Sequence, residues 1–191
     1  MNTNVLGIIG TAGRGSDADK LSLAKFNEMK IAAGRFIKEH KFTRLVSGGA
    51  AYADHIAVQA YNAGFVSSLN LELPCEFNMD DVMFQVDNPS GPISNLYHQR
   101  FHFKTGINSL AEIKRAIEKG AVVRTGGGFH ARNKVVAETA STLLAFTFGA
   151  GARLKDGGTS HCMGYFLGIK DKMQTWHCDL TTMQLYNPAE V

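Results

Sequence analysis

The chain has 191 residues, enough for one domain with a sizeable buried core. Apolar residues make up 45% of it and charged residues 19%, as in ordinary globular proteins. The net charge is only +3, with acidic and basic residues mixed along the chain, whereas duplex-binding proteins carry a basic face or stripe. We therefore predict a single domain over residues 1–191 and no nucleic-acid partner.

The cysteines and the apolar runs predict the cellular compartment of the protein. Cys75, Cys162 and Cys178 are odd in number and widely spaced, without the Cys/His spacing of a zinc site. No apolar run is long enough to span a bilayer, and the first residues lack the basic and apolar regions of a signal peptide. The sequence thus predicts a reduced, cytoplasmic protein with no membrane partner, no metal and no cofactor.

Strands and helices alternate along most of the chain. In chain order, hydrophobic periodicity predicts a strand at 5–9, a helix at 21–40, a strand at 44–47, a helix at 52–63 and a strand at 66–73. Beyond residue 106 it predicts a helix at 108–119 with Ser109 as N-cap, a strand at 121–124, a helix at 131–141, a strand at 142–148, a helix at 159–168 and a last strand at 173–178. This order predicts an α/β fold, a three-layer α/β/α sandwich around a Rossmann-like, mostly parallel sheet.

Residues 74–106 interrupt the alternation with three of the four prolines and many aromatic residues. The segment is long for a structureless connection, so we interpret it as an insertion, either a flap over the site or a contact in a homo-oligomer. His98 and His102 have i, i+4 spacing but no third ligand at a set spacing, which is weak evidence for a metal. An aromatic lid that also contains Tyr97, Phe101 and Phe103 is the better interpretation.

Four glycine-bearing turns follow the predicted strands, in the stretches Gly10–Gly15, Ser47–Ala50, Gly126–Gly128 and Gly157–Thr159. In a parallel α/β sheet, such turns converge on one crevice, and the next helix points its amino end at it. Glycine lets backbone N–H groups approach an anion, and the helix end adds partial positive charge. The turns therefore predict a pocket for a nucleotide or another phosphorylated small molecule, with Arg14, Arg124 and Arg132 beside them as candidate phosphate partners.

The second turn reads Ser47-Gly48-Gly49-Ala50-Ala51-Tyr52-Ala53-Asp54, and it resembles the SGGAxGxD motif of the SLOG superfamily. Gly128-Phe129-His130-Ala131-Arg132-Asn133, Leu143-Leu144-Ala145-Phe146 and Gly157-Gly158-Thr159 resemble that superfamily's later elements, in the same order. The YspA-like proteins are the most similar members. The resemblance implies a modified Rossmann fold that binds nucleotides or nucleotide-derived ligands. Tyr52 replaces a glycine of the motif, which predicts that its ring narrows the pocket.

The resemblance and the glycine turns together predict the ligand-binding residues. From the resemblance, these are Gly48, Gly49, Asp54, Arg132, Asn133, Gly158 and Thr159. The first loop and the turn sequences add Gly10, Thr11, Arg14, Ser47 and Gly157. A glycine-rich turn can also be purely structural, and the first loop lacks the lysine of a P-loop.

The most specific predictions concern the roles of Arg132 and Asp54. An arginine at the predicted start of a helix opposes the helix dipole, so we expect Arg132 to bind a phosphate from a solvent-facing position. Asp54 is either an N-cap of its helix, a ligand acceptor, or a side chain that orients the glycine turn.

The leading function is binding of a nucleotide-like signal by a sensor or sequestering module, and the alternative is a nucleoside-monophosphate N-glycosidase. The related lonely-guy hydrolases place a glutamate soon after the GGxGT element, whereas Thr159 is followed here by Ser160, His161 and Cys162. Glu72, Glu138 and His161 are weak candidates for catalysis. A single-stranded DNA-binding subunit is the weakest interpretation, because the chain has no basic stripe.

Overall fold

A computed structural model describes residues 4–169 and 174–190. Its strands are β1 (Val5–Gly10), β2 (Arg44–Ser47), β3 (Ser68–Leu73), β4 (Phe77–Asn78), β5 (Met83–Phe84), β6 (Val122–Thr125), β7 (Thr142–Thr147), β8 (Gln174–Asp179) and β9 (Gln184–Tyr186). Its α-helices are α1 (Asp17–Lys20), α2 (Leu23–Glu39), α3 (His55–Asn62), α4 (Ser90–Thr105), α5 (Ser109–Glu118), α6 (Gly128–Thr139) and α7 (Gly158–Leu167), and a 3₁₀ turn spans Pro188–Glu190.

Seven of these strands form one sheet in the order β6-β3-β2-β1-β7-β8-β9. All neighbours are parallel except β9, which runs antiparallel to β8. The predicted α/β fold with a mostly parallel, Rossmann-like sheet is confirmed.

Side chains of β1 alternate between two buried cores, one on each face of the sheet. Leu6 and Ile8 belong to a core that also contains apolar residues of α2, α3, α4 and α5. Val5 and Ile9 belong to a second core with residues of α6 and α7. This period of two is the geometry of a strand that is covered on both faces, so the helices form the two outer layers.

Most predicted elements exist, with shifted ends. The helix expected at 21–40 is α2, and the short helix α1 before it was not predicted. α6 begins at Gly128, three residues before its predicted start. Ser109 is not the N-cap of α5, because the side chain of Asn108 accepts the backbone N–H of Ala111. β8 is not the last strand, since β9 follows it, and residue 173 lies outside the described residues.

Residues 74–106 form the β4-β5 hairpin and the 16-residue helix α4, and they add no strand to the seven-stranded sheet. α4 presents Ile93, Leu96 and Phe103 to solvent, with Phe103 91% exposed. The predicted homo-oligomer stays a prediction. Over the described residues, no helix combines the length and apolar character needed to cross a membrane.

Candidate functional site

A cleft of about 520 Å³ lies where the chain leaves β1 and β7. These strands are neighbours, but β1 leads to helices on one face of the sheet and β7 leads to α7 on the other. Connections that diverge in this way leave a crevice at the carboxyl ends of the strands. The first loop, the turn before α3, the start of α6 and the turn before α7 all line it, and α4 closes one side with Ser94, Tyr97 and His98.

Most of the predicted ligand-binding residues line this cleft: Gly10, Thr11, Arg14, Asp54, Arg132, Asn133, Gly157, Gly158 and Thr159. Ser47, Gly48 and Gly49 lie behind its wall. The Ser47 hydroxyl donates to the Asp54 carbonyl at 2.8 Å, and the Gly49 N–H donates to that hydroxyl at 3.4 Å. These three residues therefore shape the turn and do not line the space.

Three helix amino ends border the cleft, those of α3, α6 and α7. None of the three carries an acidic residue in its first turn, and no N-cap side chain accepts one of their N–H groups. At α7 the hydroxyl of Ser160 accepts the N–H of Gly157 at 3.0 Å. Their N-cap residues are Asp54, Gly127 and Gly157. Helix amino ends carry partial positive charge and unpaired N–H groups, so their convergence suits an anion.

Arg132 and Asp54 form an ion pair at the wall of the cleft. Arg132 Nη1 donates to Asp54 Oδ2 at 2.8 Å, and the two side chains are only 10% and 4% exposed. The N–H groups of Gly48 and Ala50 donate to the same oxygen, at 3.1 and 3.5 Å. Burial raises the pKa of Asp54, while Arg132 and the two N–H groups oppose that rise. Asp54 thus occupies the N-cap position of α3, but its carboxylate caps no N–H group of the helix and instead orients the glycine turn.

The expected solvent-facing position of Arg132 is wrong, because α6 starts at Gly128 and the side chain turns inward. Its guanidinium lies against Gly48, where an added Cβ would come within 1.3 Å of Nη1. A side chain at position 48 would therefore displace the guanidinium. The Nε of Arg132 is buried and has no hydrogen-bond partner among the described residues.

Arg14 stands between two aromatic rings at the cleft. Its Cζ lies 5.3 Å from the centroid of the Tyr97 ring and 5.2 Å from that of Phe129. Both distances are within the range of cation–π attraction. Arg14 is exposed, and no carboxylate of the described residues pairs with it.

Three charged residues of the cleft, Asp17, Lys155 and Asp156, were not predicted from the sequence. Lys155 donates to Asp17 at 2.5 Å, and the hydroxyl of Thr11 donates to the other carboxylate oxygen at 2.7 Å. Gly13 N–H in turn donates to the Thr11 hydroxyl at 3.2 Å. This network fixes the first loop against the turn before α7. The position of Lys155, just before Asp156-Gly157-Gly158, is the signal that could have found it.

Asn133 connects α6 to α7. Its Nδ2 donates to the Gly158 carbonyl at 3.0 Å, and the Cys162 thiol donates to the Asn133 carbonyl at 3.2 Å. Burial raises the pKa of Cys162 to about 12, so the thiol is not a nucleophile near neutral pH. Both residues therefore position the turn before α7.

The three candidates for catalysis do not line the cleft. Glu72 is buried beside Arg124 at 3.4 Å, and neither residue reaches the cleft, contrary to the expectation for both. Glu138 is exposed and lies 3.8 Å from Lys134. His161 contacts His130 at 3.3 Å between their Nδ1 atoms. The carboxylates that line the cleft are those of Asp17, Asp54 and Asp156.

His98 holds α4 against the second glycine turn. Its Nε2 lies 3.0 Å from the Gly49 carbonyl, which can only accept, so Nε2 carries the proton and Nδ1 accepts the Ser109 hydroxyl at 2.8 Å. Complete burial lowers the pKa of His98 to about 3, so the ring is neutral. No group of three His, Cys, Asp or Glu side chains among the described residues could hold a metal ion.

Tyr52 does not narrow the cleft. Its backbone has a φ of +58°, which is the left-handed conformation that glycine adopts easily, and its ring turns away to pack edge-on against Phe101. A Cβ on Gly13 would lie 3.1 Å from that ring, so Tyr52 supports the first loop from behind.

Comparison with known proteins identifies a viral relative. The chain is 35% identical over 150 residues to the uncharacterized protein R261 of Acanthamoeba polyphaga mimivirus, an alignment that covers 75% of this chain and 81% of the relative. The chain belongs to the same family as that protein. No family model and no solved structure matches the chain. The likeness thus establishes a family, and the chemistry of its site has to be inferred from the cleft.

Proposed function

We propose that the cleft binds a nucleotide or a nucleotide-derived small molecule, and that the protein acts as a sensor or a sequestering module. The main supporting observation is the convergence of three helix amino ends, none with a hydrogen bond from its N-cap side chain, on a cleft that also contains Arg14. The other two cations of the cleft, Lys155 and Arg132, are already paired with Asp17 and Asp54. Arg14 is therefore the cation that can meet an incoming phosphate without breaking an ion pair.

The resemblance to SLOG proteins supports the same proposal, since the residues that carry it lie around this cleft. The volume of about 520 Å³ is also within the usual range for small-molecule sites. We propose membership of that superfamily on this basis.

Calorimetric titration with nucleoside monophosphates tests the proposal. Arg14→Ala is expected to weaken binding by about 1.5–3 kcal/mol, the range for a hydrogen bond to a charged group. Arg35→Ala is the matched control, because Arg35 is an exposed arginine of α2 that does not line the cleft. Equal affinities of the two variants would remove Arg14 from the site, and the absence of binding to the wild-type protein would refute the proposed function.

One observation favours the alternative of a nucleoside-monophosphate N-glycosidase. Asp156 lines the cleft, and no ion-pair partner for it is found among the described residues. A carboxylate in that position could activate water for attack on the sugar. Incubation with ribo- and deoxyribonucleoside monophosphates, followed by an assay for free base, tests this. Base release that is lost in Asp156→Asn would establish the enzyme, whereas we expect release to be slow or absent.

A further inference from the structure

The two rings on either side of Arg14 belong to separate parts of the fold. Tyr97 is on α4, within the insertion, and Phe129 is in the first turn of α6. The flat guanidinium of Arg14 is close to 5 Å from both ring centroids. Both rings thus face a space that already accommodates a flat group.

The cation–π contacts with these rings bind Arg14 only weakly, because such contacts contribute little free energy at exposed positions. No ion pair with a described carboxylate holds the guanidinium in place either. Gly13 and Gly15 flank Arg14 with φ values of +80° and +54°. Arg14 is exposed, and a Cβ on Gly15 would meet nothing within 4 Å, so the Arg14 side chain has open space beside it. Arg14 can leave the space between the rings without disturbing the core.

We propose that Tyr97 and Phe129 form a clamp for the base of the ligand, and that Arg14 turns from the clamp to the phosphate when the base enters. This rests on the proposed function, since it assigns the parts of a nucleotide to parts of the same cleft. Base–aromatic stacking tolerates any base because every base has a π-face. The clamp therefore recognises a heteroaromatic ring as a class, and the larger purines should bind more tightly than pyrimidines.

The test compares a ligand that has a base with one that lacks it. Adenosine monophosphate and ribose 5-phosphate are titrated calorimetrically into the wild-type protein, Tyr97→Ala and Phe129→Ala. Each variant is expected to bind adenosine monophosphate about 5- to 150-fold more weakly, the effect of losing one stacking partner. The affinity for ribose 5-phosphate should not change. Phe103→Ala is the matched control, because Phe103 lies on the same helix as Tyr97 but is 91% exposed and does not line the cleft.

The clamp and the proposed function can fail separately. If the wild-type protein binds both ligands equally, or if Tyr97→Ala weakens both equally, the clamp is refuted while phosphate binding at the cleft stands. If the wild-type protein binds neither ligand, the proposed function is refuted and the clamp with it. Thermal melts of each variant separate a lost contact from a lost fold, and Tyr97→Phe, which keeps the ring, should retain the wild-type affinity.

Discussion

Removal of the Arg132 side chain is expected to destabilise the whole fold. The sequence predicted a surface position for this arginine, where its loss would matter little, but it is 10% exposed and paired with Asp54. In Arg132→Ala the Asp54 carboxylate stays buried and keeps only the N–H groups of Gly48 and Ala50 as partners. Breaking a buried ion pair on one side typically costs about 3–5 kcal/mol of unfolding free energy.

The corresponding change in melting temperature follows from the size of the chain. For 191 residues the unfolding entropy is about 0.4 kcal/mol/K, so Arg132→Ala should melt about 7–12 °C lower than the wild-type protein. The deficit should also grow with pH. Burial already raises the pKa of Asp54 in the wild-type fold, and loss of Arg132 raises it further. The two proteins therefore lose stability alike just above the unfolded pKa, and the deficit widens as the pH rises from the wild-type folded pKa to the higher folded pKa of the variant.

Differential scanning calorimetry at several pH values measures both effects. Lys134→Ala is the matched control on the same helix, because Lys134 is 58% exposed and its partner Glu138 lies 3.8 Å away at the surface. A surface pair of this kind contributes at most about 0.5 kcal/mol. The double variant Arg132→Met/Asp54→Asn should recover part of the loss, since no charge is then buried. Equal melting temperatures for Arg132→Ala and Lys134→Ala would refute the reasoning.

Other buried groups give three more testable expectations. Gly48→Ala should lower the melting temperature about as much as Arg132→Ala does, because its Cβ displaces the guanidinium. The two substitutions should not be additive, since both break the same ion pair. Gly34→Ala is the control: a Cβ there meets nothing, so this substitution should stabilise α2 by up to about 1 kcal/mol. As the pH falls from 6.5 towards 3, the free energy of unfolding measured by urea titration should decrease by up to about 1.4 kcal/mol per pH unit because of His98. The unfolded chain takes up a proton that the folded ring, with a pKa of about 3, does not take up. His98→Gln should make this pH dependence weaker. Cys162 and Cys178, whose pKa values burial raises to about 12, should resist a thiol reagent until the protein unfolds, and rapid labelling of the native protein would contradict their burial.

β1 and β2 could be predicted from the sequence because each contains an apolar run that ends at a glycine turn. α4 could not, because the residues that it buries include Gly91, Ser94, His98 and Thr105, which are small or polar and give no apolar stripe. The glycine turns predicted where the cleft would form. The pairings inside the cleft could not be predicted, because Arg132 and Asp54 are 78 positions apart and Lys155 and Asp17 are 138 apart, and only the fold determines which charges meet.

The pairing of β1 with β7 delays the assembly of the cleft during synthesis. Val5 and Ser141 exchange hydrogen bonds across 136 positions, and residues from Ile9 to Cys162 line the cleft. A ribosome that adds about 5–20 residues per second needs about 7–27 s to cover that separation. Before the end of that interval β2 has been synthesised and can pair with β1, but β7 has not. A nascent chain therefore cannot complete the cleft until α7 has been synthesised, and under the proposed function a nucleotide added during translation should bind only chains that have reached α7.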